Sequence, residues 1–304
     1  MLFTKDFSTV SGVSPDARVQ IFRAHFSAPG EFEAMAVDAY AIHTERALVL
    51  CDTLLCPDDM QRVCSASGVD RTEKQLLVIN SHADWDHVWG THYLVEHYAP
   101  TIIAHEYCRT RLLSDEEKHL LREYQEKFSV FHSVILVPPK VTFRDTLTIY
   151  GGDLTLELFP APGHQPDQIA LWIPEIRLLL AFDALEYPLP GIGSPELVPA
   201  MFRSIERFQE LQPAHVLCSH RENSSSPALI TQNLSYLRQI EQRSRALLAR
   251  QQITEEDLSD PARLIGYPYA EARAHVQSRI DDGYYEMTHA ENIRCILRYC
   301  LKHP

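Results

Sequence analysis

The chain has 304 residues, 45% hydrophobic and 23% charged, with a formal net charge of −13, an ordinary globular composition near the size limit of a single core. The acidic balance disfavours a nucleic-acid partner, because polyanion binders present a basic patch, and no apolar run approaches the ~18 residues of a membrane span. The opening MLFTKDFSTVSGV lacks a basic segment followed by an apolar one, so no signal peptide is expected, and seven cysteines without a CxxC pair read as reduced thiols of a cytoplasmic protein.

Taken in order, residues 18–25, 35–43 and 47–52 carry apolar stretches that predict strands. Residues 57–68 predict a helix, with Pro57 at its start and Gly68 at its end. The run LLVI at 76–79 predicts a buried strand, followed by a short helix near 92–98 and a strand at 101–104. Residues 106–128 are highly charged and contain neither Pro nor Gly, which predicts one long helix capping the site from outside, its charges solvated. Gly151-Gly152 marks a hairpin between strands at 146–150 and 154–159. Further strands are expected at 169–173, 177–182 and 215–220, with a Pro- and Gly-rich loop at 188–199 and a helix at 200–211. Beyond Ser226-Pro227 the pattern is helical: a long helix to about 251, another at 270–280, and a last one opened by Thr288 in capping-box form. The expected organisation is therefore a mixed strand-and-helix domain over 1–226 and a helical extension over 227–304 packed on it. Residues 227–304 hold ten basic and ten acidic side chains, so the acidic surplus lies in the first part.

The chemistry concentrates at strand ends. Residues 80–90 read NSHADWDHVWG and place His82, Asp84, Asp86 and His87 just past a buried strand. Buried unpaired, such groups would cost several kcal/mol each, and a bound cation removes that cost. Three more ligand-type residues end their own predicted strands: His164 after Pro162-Gly163, Asp183 after an apolar run, and His220 after HVLCS. Open α/β folds place ligands at such strand ends. Seven convergent side chains are enough for two metal ions. Trp85 and Trp89 flank the first cluster and suit either a pocket floor or the core.

This ordered set resembles the metallo-β-lactamase superfamily, the glyoxalase II-like metallohydrolases, over roughly residues 35–240. The family pattern is His-x-His-x-Asp-His, then His, Asp and His at later strand ends. A strand ending in Asp52-Thr53 resembles a further feature of the family. One position departs from the pattern: Asp84 stands in place of the second His.

The resemblance implies a four-layer αββα sandwich, here with a C-terminal helical extension. It also implies that His82, Asp84 and His164 hold one divalent metal, that Asp86, His87 and His220 hold a second, and that Asp183 and a water or hydroxide bridge them. The expected activity is hydrolysis of an ester, lactone or thioester of a small molecule, with Asp86 taking or relaying the proton. Tyr187 and His289 are the candidates for a further catalytic donor. Asp84 supplies a hard anionic oxygen, which favours Fe or Mn more than an imidazole does, beside Zn. Flavo-diiron proteins of the same superfamily carry a carboxylate at this place, so a non-haem diiron redox protein stays open as an alternative, as does a phosphodiesterase. Partners are expected to be a small-molecule substrate, with no nucleic acid and no membrane, and a homodimer is left open.

Overall fold

The computed structural model describes residues 2–221 and 223–303. One sheet runs in spatial order β1 (Thr4–Val10), β2 (Val19–Ala28), β3 (Phe32–His43), β4 (Ala47–Cys51), β5 (Gln75–Ile79), β6 (Thr101–His105) and β7 (Val141–Phe143). Its first four strands are antiparallel, and β4 to β7 are parallel. The second sheet is ordered β12 (His215–Leu217), β11 (Leu178–Leu180), β10 (Ile169–Ile173), β9 (Thr155–Pro160) and β8 (Leu147–Tyr150), with only the β11–β12 pair parallel.

Alternation along the strands builds three cores. In β4, Val49 and Cys51 face the other sheet while Leu48 and Leu50 face outward. In β11, Leu178 and Leu180 face the first sheet and Leu179 faces outward. The inner faces meet in a dry core containing Ile21, Tyr40, Val49, Leu156 and Leu171. Over the first sheet lie α1 (Pro57–Ser67), α2 (Trp85–Val88), α3 (Thr91–Tyr98), α4 (Glu106–Leu113) and α5 (Asp115–Lys127). Over the second lie α6 (Val198–Leu211), α7 (Ala228–Leu248), the short α8 (Pro261–Leu264) and α9 (Tyr269–Ala272), and α10 (Asp282–Lys302). The result is a four-layer αββα sandwich. The helices after residue 227 share one core with strand residues Phe159, Leu179 and Val216.

Four local expectations need correction. The helix expected over 106–128 is two helices, because Ser114 turns extended and its hydroxyl accepts from Glu117 N at 3.2 Å. Ser114-x-x-Glu117 has the sequence form of a capping box, but only the serine half is made: Ser114 N donates to Arg111 O and the Glu117 carboxylate accepts from Arg111. The last helix starts at Asp282 rather than Thr288, because Asp281 caps it, accepting from Tyr284 N at 3.0 Å. The helix expected over 270–280 is reduced to Tyr269–Ala272. The segment after it is held by tertiary contacts instead, Ser278 reaching the Tyr187 hydroxyl and Asp281 accepting from Glu33 N. Strands β1 and β7 are additional to the expected strands; both are edge strands, and β1 is polar, lacking the apolar run that marks a buried one.

Candidate metal centre

The site lies at the carboxyl ends of strands from both sheets. His82, Asp84, Asp86 and His87 follow β5, with Asp86 and His87 on α2. His164 follows β9, Asp183 follows β11 and His220 follows β12. The fold brings all seven together around Asp183. Its Oδ2 lies 3.7 Å from His82 Nε2, 3.1 Å from His87 Nε2, 3.8 Å from His164 Nε2 and 3.4 Å from His220 Nε2. Asp84 Oδ2 sits 3.2 Å from His164 Nε2, and Asp86 Oδ2 sits 3.4 Å from His220 Nε2.

Each imidazole is oriented by its other nitrogen. His220 Nδ1 donates to Ala36 O at 2.7 Å, and His164 Nδ1 to Gly191 O at 3.3 Å. His87 Nδ1 donates to Asp52 Oδ2 at 2.9 Å, and His82 Nδ1 lies 2.9 Å from the Ser81 hydroxyl. The Ser81 hydroxyl in turn donates to Asp52. All four rings therefore turn Nε2 to one centre, the arrangement that outer partners impose on metal-binding histidines.

Electrostatics follow from the crowding. Burial works to lower the pKa of His87 and His220, but Asp183 beside them overrides it and holds both well above the ordinary value. Burial likewise opposes protonation of His164, which its contact with Asp84 nevertheless raises to about 9. Burial pushes the Asp183 carboxyl up, and His87 and His220 more than reverse this. A cation substitutes for the protons such a cluster otherwise holds. The donor set fits one. His82 Nε2, His87 Nε2 and Asp183 Oδ1 are buried without a hydrogen-bond partner in the protein; the 3.1 Å approach of Asp183 to His87 is not aligned as a hydrogen bond. Three groups of donor atoms, His82/Asp84/His164, His82/His87/Asp183 and Asp86/His87/His220, each lie within 4.8 Å of one another. Imidazole nitrogens with carboxylate oxygens suit a divalent ion.

A family model of the metallo-beta-lactamase superfamily matches residues 33–220. The chain belongs to this superfamily. Its members are largely metal-dependent hydrolases and typically bind divalent metals, usually zinc. Solved structures agree on the fold. A metallo-beta-lactamase from Pontibacter korlensis is 16% identical with a TM-score of 0.58, covering 76% of this chain and 98% of its own. A metallo-beta-lactamase family protein from Thermus thermophilus is 16% identical with a TM-score of 0.62, over 91% of this chain and 93% of its own. The metallo-beta-lactamase FIM-1 from Pseudomonas aeruginosa, solved in its mono-zinc form, is 14% identical with a TM-score of 0.54, over 75% of this chain and 94% of its own. No curated protein sequence matches the chain.

The other candidate residues are placed differently. Tyr187 is 8% exposed; its amide donates to His220 O at 3.0 Å and its hydroxyl lies 3.4 Å from Ser278 Oγ. It lines a cavity of about 220 Å³ beside His220, not the one of about 90 Å³ over the carboxylates. His289, 1% exposed, does not reach the centre. Its Nε2 donates to Tyr267 O at 2.8 Å and its Nδ1 pairs with the Tyr236 hydroxyl at 2.9 Å, so neither nitrogen is free for proton transfer. In the structure it links α10 to α7 through the Tyr236 hydroxyl. Trp85 lines the smaller cavity, while Trp89 is fully buried in the core.

Two residues near the centre escaped the sequence reading. Tyr284, on the first turn of α10, lines the smaller cavity with Phe26, Phe32, Met35 and Trp85. The signal that would have found it is the Asp281 cap, which moves the helix start upstream of Thr288. Arg111 reaches in from α4 and donates to Asp84 Oδ1 at 2.6 Å. Nothing local in the sequence separates it from the other charges of that helix.

Proposed function

We propose that this protein is a metal-dependent hydrolase that cleaves an ester, lactone or thioester of a small molecule at a dinuclear centre. The observation that carries this reading is the convergence of four Nε2 atoms on Asp183, with Asp84 and Asp86 beside them and two of those nitrogens unpaired. His82, Asp84 and His164 would hold one cation, Asp86, His87 and His220 the other, and Asp183 would serve both. When bound, the pair supplies Lewis acidity for a carbonyl and makes water acidic enough to attack near neutral pH. Iron, manganese and zinc are all compatible with the donors.

The chain's own residues then have distinct tasks. Burial works to raise the Asp86 carboxyl, but His87 and His220 beside it hold it below the ordinary value. Asp86 is thus a carboxylate able to take the proton that the attacking water gives up. Tyr284 keeps its proton, because burial pushes its pKa well up. Its hydroxyl is a donor for the oxygen on which charge develops. Phe26, Phe32, Met35 and Trp85 give the smaller cavity an apolar wall beside its carboxylates and imidazoles. That cavity, about 90 Å³, shares Met35 and His220 with the neighbouring one of about 220 Å³. Together they just reach the lower end of small-molecule pockets, about 300 Å³, which supports a compact substrate over a macromolecule.

Elemental analysis after reconstitution tests the centre, with about two divalent ions per chain expected; one or none removes the dinuclear reading. A panel of lactones, thioesters and phosphodiesters tests the substrate class. Turnover of phosphodiesters alone would replace the carbonyl assignment.

A further inference from the structure

Asp84 is gripped from two sides. Its Oδ1 accepts from Arg111 Nη2 at 2.6 Å. Its Oδ2 accepts from Gln165 Nε2 at 3.1 Å and lies 3.2 Å from His164 Nε2 and 3.4 Å from His82 Nε2. The guanidinium is itself anchored. Nη1 donates to Asp167 Oδ1 at 2.7 Å, and Nη2 also reaches Glu117 Oε1 at 3.0 Å. Asp167 is fully buried and accepts from Ala83 N at 2.8 Å, so the anchor is tied to the residue just before Asp84. The break between α4 and α5 at Ser114 lets Glu117 fold back toward Arg111.

A neutral imidazole at this place would need no guanidinium. A carboxylate does: it has two donor oxygens, can rotate, and carries a negative charge. We propose that Arg111 is the positioning partner of Asp84: it occupies one carboxylate oxygen, leaves the other as a single donor aimed at His82 and His164, and offsets the charge, so that the Asp84–Arg111 pair stands in for an imidazole ligand. The assignment rests on the reading that Asp84, His82 and His164 hold a cation. The planar fork is what the geometry uses, bridging three carboxylates, Asp84, Asp167 and Glu117, in fixed directions, which a lysine cannot do.

The test measures zinc and cobalt(II) affinity of the full chain by chelator competition, with the cobalt absorption spectrum as a second readout. Four proteins are compared: wild type, Arg111→Met, Asp84→His and the double variant. In the wild-type background, loss of Arg111 should weaken one of the two bound ions about 10–100-fold, as for other outer partners of metal ligands, and alter the cobalt spectrum. The ion held by Asp86, His87 and His220 should bind as before. In the Asp84→His background, loss of Arg111 should leave affinity unchanged or tighten it, because the guanidinium then faces a cation with no carboxylate between. Equal loss in both backgrounds would make Arg111 a structural brace acting through Asp167 and overturn the assignment, as would no loss in wild type. If Arg111→Met fails to fold, Arg111→Lys carries the comparison: it keeps the charge, loses the fork, and should weaken binding only when Asp84 is present. A wild-type chain that takes up no cation would bring down the proposed function as well; uptake of two ions with no dependence on Arg111 would bring down this assignment alone.

Discussion

Asp52 directly follows β4 with a left-handed backbone, φ 62°, and both its oxygens are engaged. Oδ1 accepts from Ser81 N at 2.7 Å, and Oδ2 from Ser81 Oγ at 2.8 Å and His87 Nδ1 at 2.9 Å. Such backbone strain persists where surrounding contacts over-determine it, and these contacts hold His87 in place. Asp52→Ala should lower metal affinity about 10–100-fold, read by chelator competition, while the fold is retained in circular dichroism. Gly90 meets a harder constraint: a Cβ there would lie 2.0 Å from Thr53 O and 2.6 Å from Met60 Cγ. Gly90→Ala should therefore push apart α1 and the site loop and lower the melting temperature sharply. The seven buried cysteines are all free thiols. Burial pushes Cys56 up to about 11 and Cys64 up to about 12. A thiol reagent at pH 8 should label none of the seven in the native chain and all of them after unfolding. Because unfolded thiols ionise near about pH 8.5 and these two only well above it, their contribution to stability is whole below that pH and is lost as pH rises.

Among the elements, α10 does more for the site than its distance in sequence suggests. Asp281 ties its start to β3, accepting from Glu33 N at 2.5 Å, and Tyr284 is thereby set over the centre. Further along, Asn292 donates to Pro190 O at 2.7 Å and accepts from Ile192 N at 2.8 Å, fixing the loop whose Gly191 carbonyl orients His164. His289 and Tyr236 complete this brace. His289→Ala leaves the Tyr267 carbonyl and Tyr236 hydroxyl short of a partner and should cost about 1–3 kcal/mol, measured by urea unfolding. If the loop acts by placing His164, any activity change should follow metal occupancy rather than the pH profile. Complete loss of turnover with full occupancy and unchanged stability would return His289 to a catalytic role.

At the scale of the molecule, the helical extension is built into the sandwich. Leu237, Ile240, Ile293 and Ile296 are fully buried against the same core as Leu179, Val216 and Phe208. Ending the chain after Arg221 would uncover that face, and large exposed apolar patches drive association. The truncated chain is expected to aggregate or unfold without cooperativity, checked by light scattering and thermal melts. A soluble truncated chain with full turnover would make the extension an independent module. Among the described residues, no helix is long and apolar enough to cross a membrane.

What the sequence determined by itself was the part encoded locally. Strand periodicity is short-range, and a strand that ends at a polar residue announces where that residue points. The seven donor-type residues at successive strand ends were therefore legible, and it was their resemblance to a family pattern, not the periodicity, that implied the layered fold aligning those ends. Helix boundaries were less so: the caps at Ser114 and Asp281 lie inside charged runs that mask them. Only the tertiary structure decided what surrounds the centre. Arg111 meets Asp84 from 27 residues away, and Tyr285 bonds Glu186 from 99 away, next to the Tyr284 that roofs the cavity. The charge that Asp84 adds has no visible compensation in the linear chain, because its partner is one cation among several on a helix whose orientation no local pattern specifies. Packing of α4 on the sheet and of α10 on β3 selects which side chain of each run enters the site, and that selection is made by long-range contact alone.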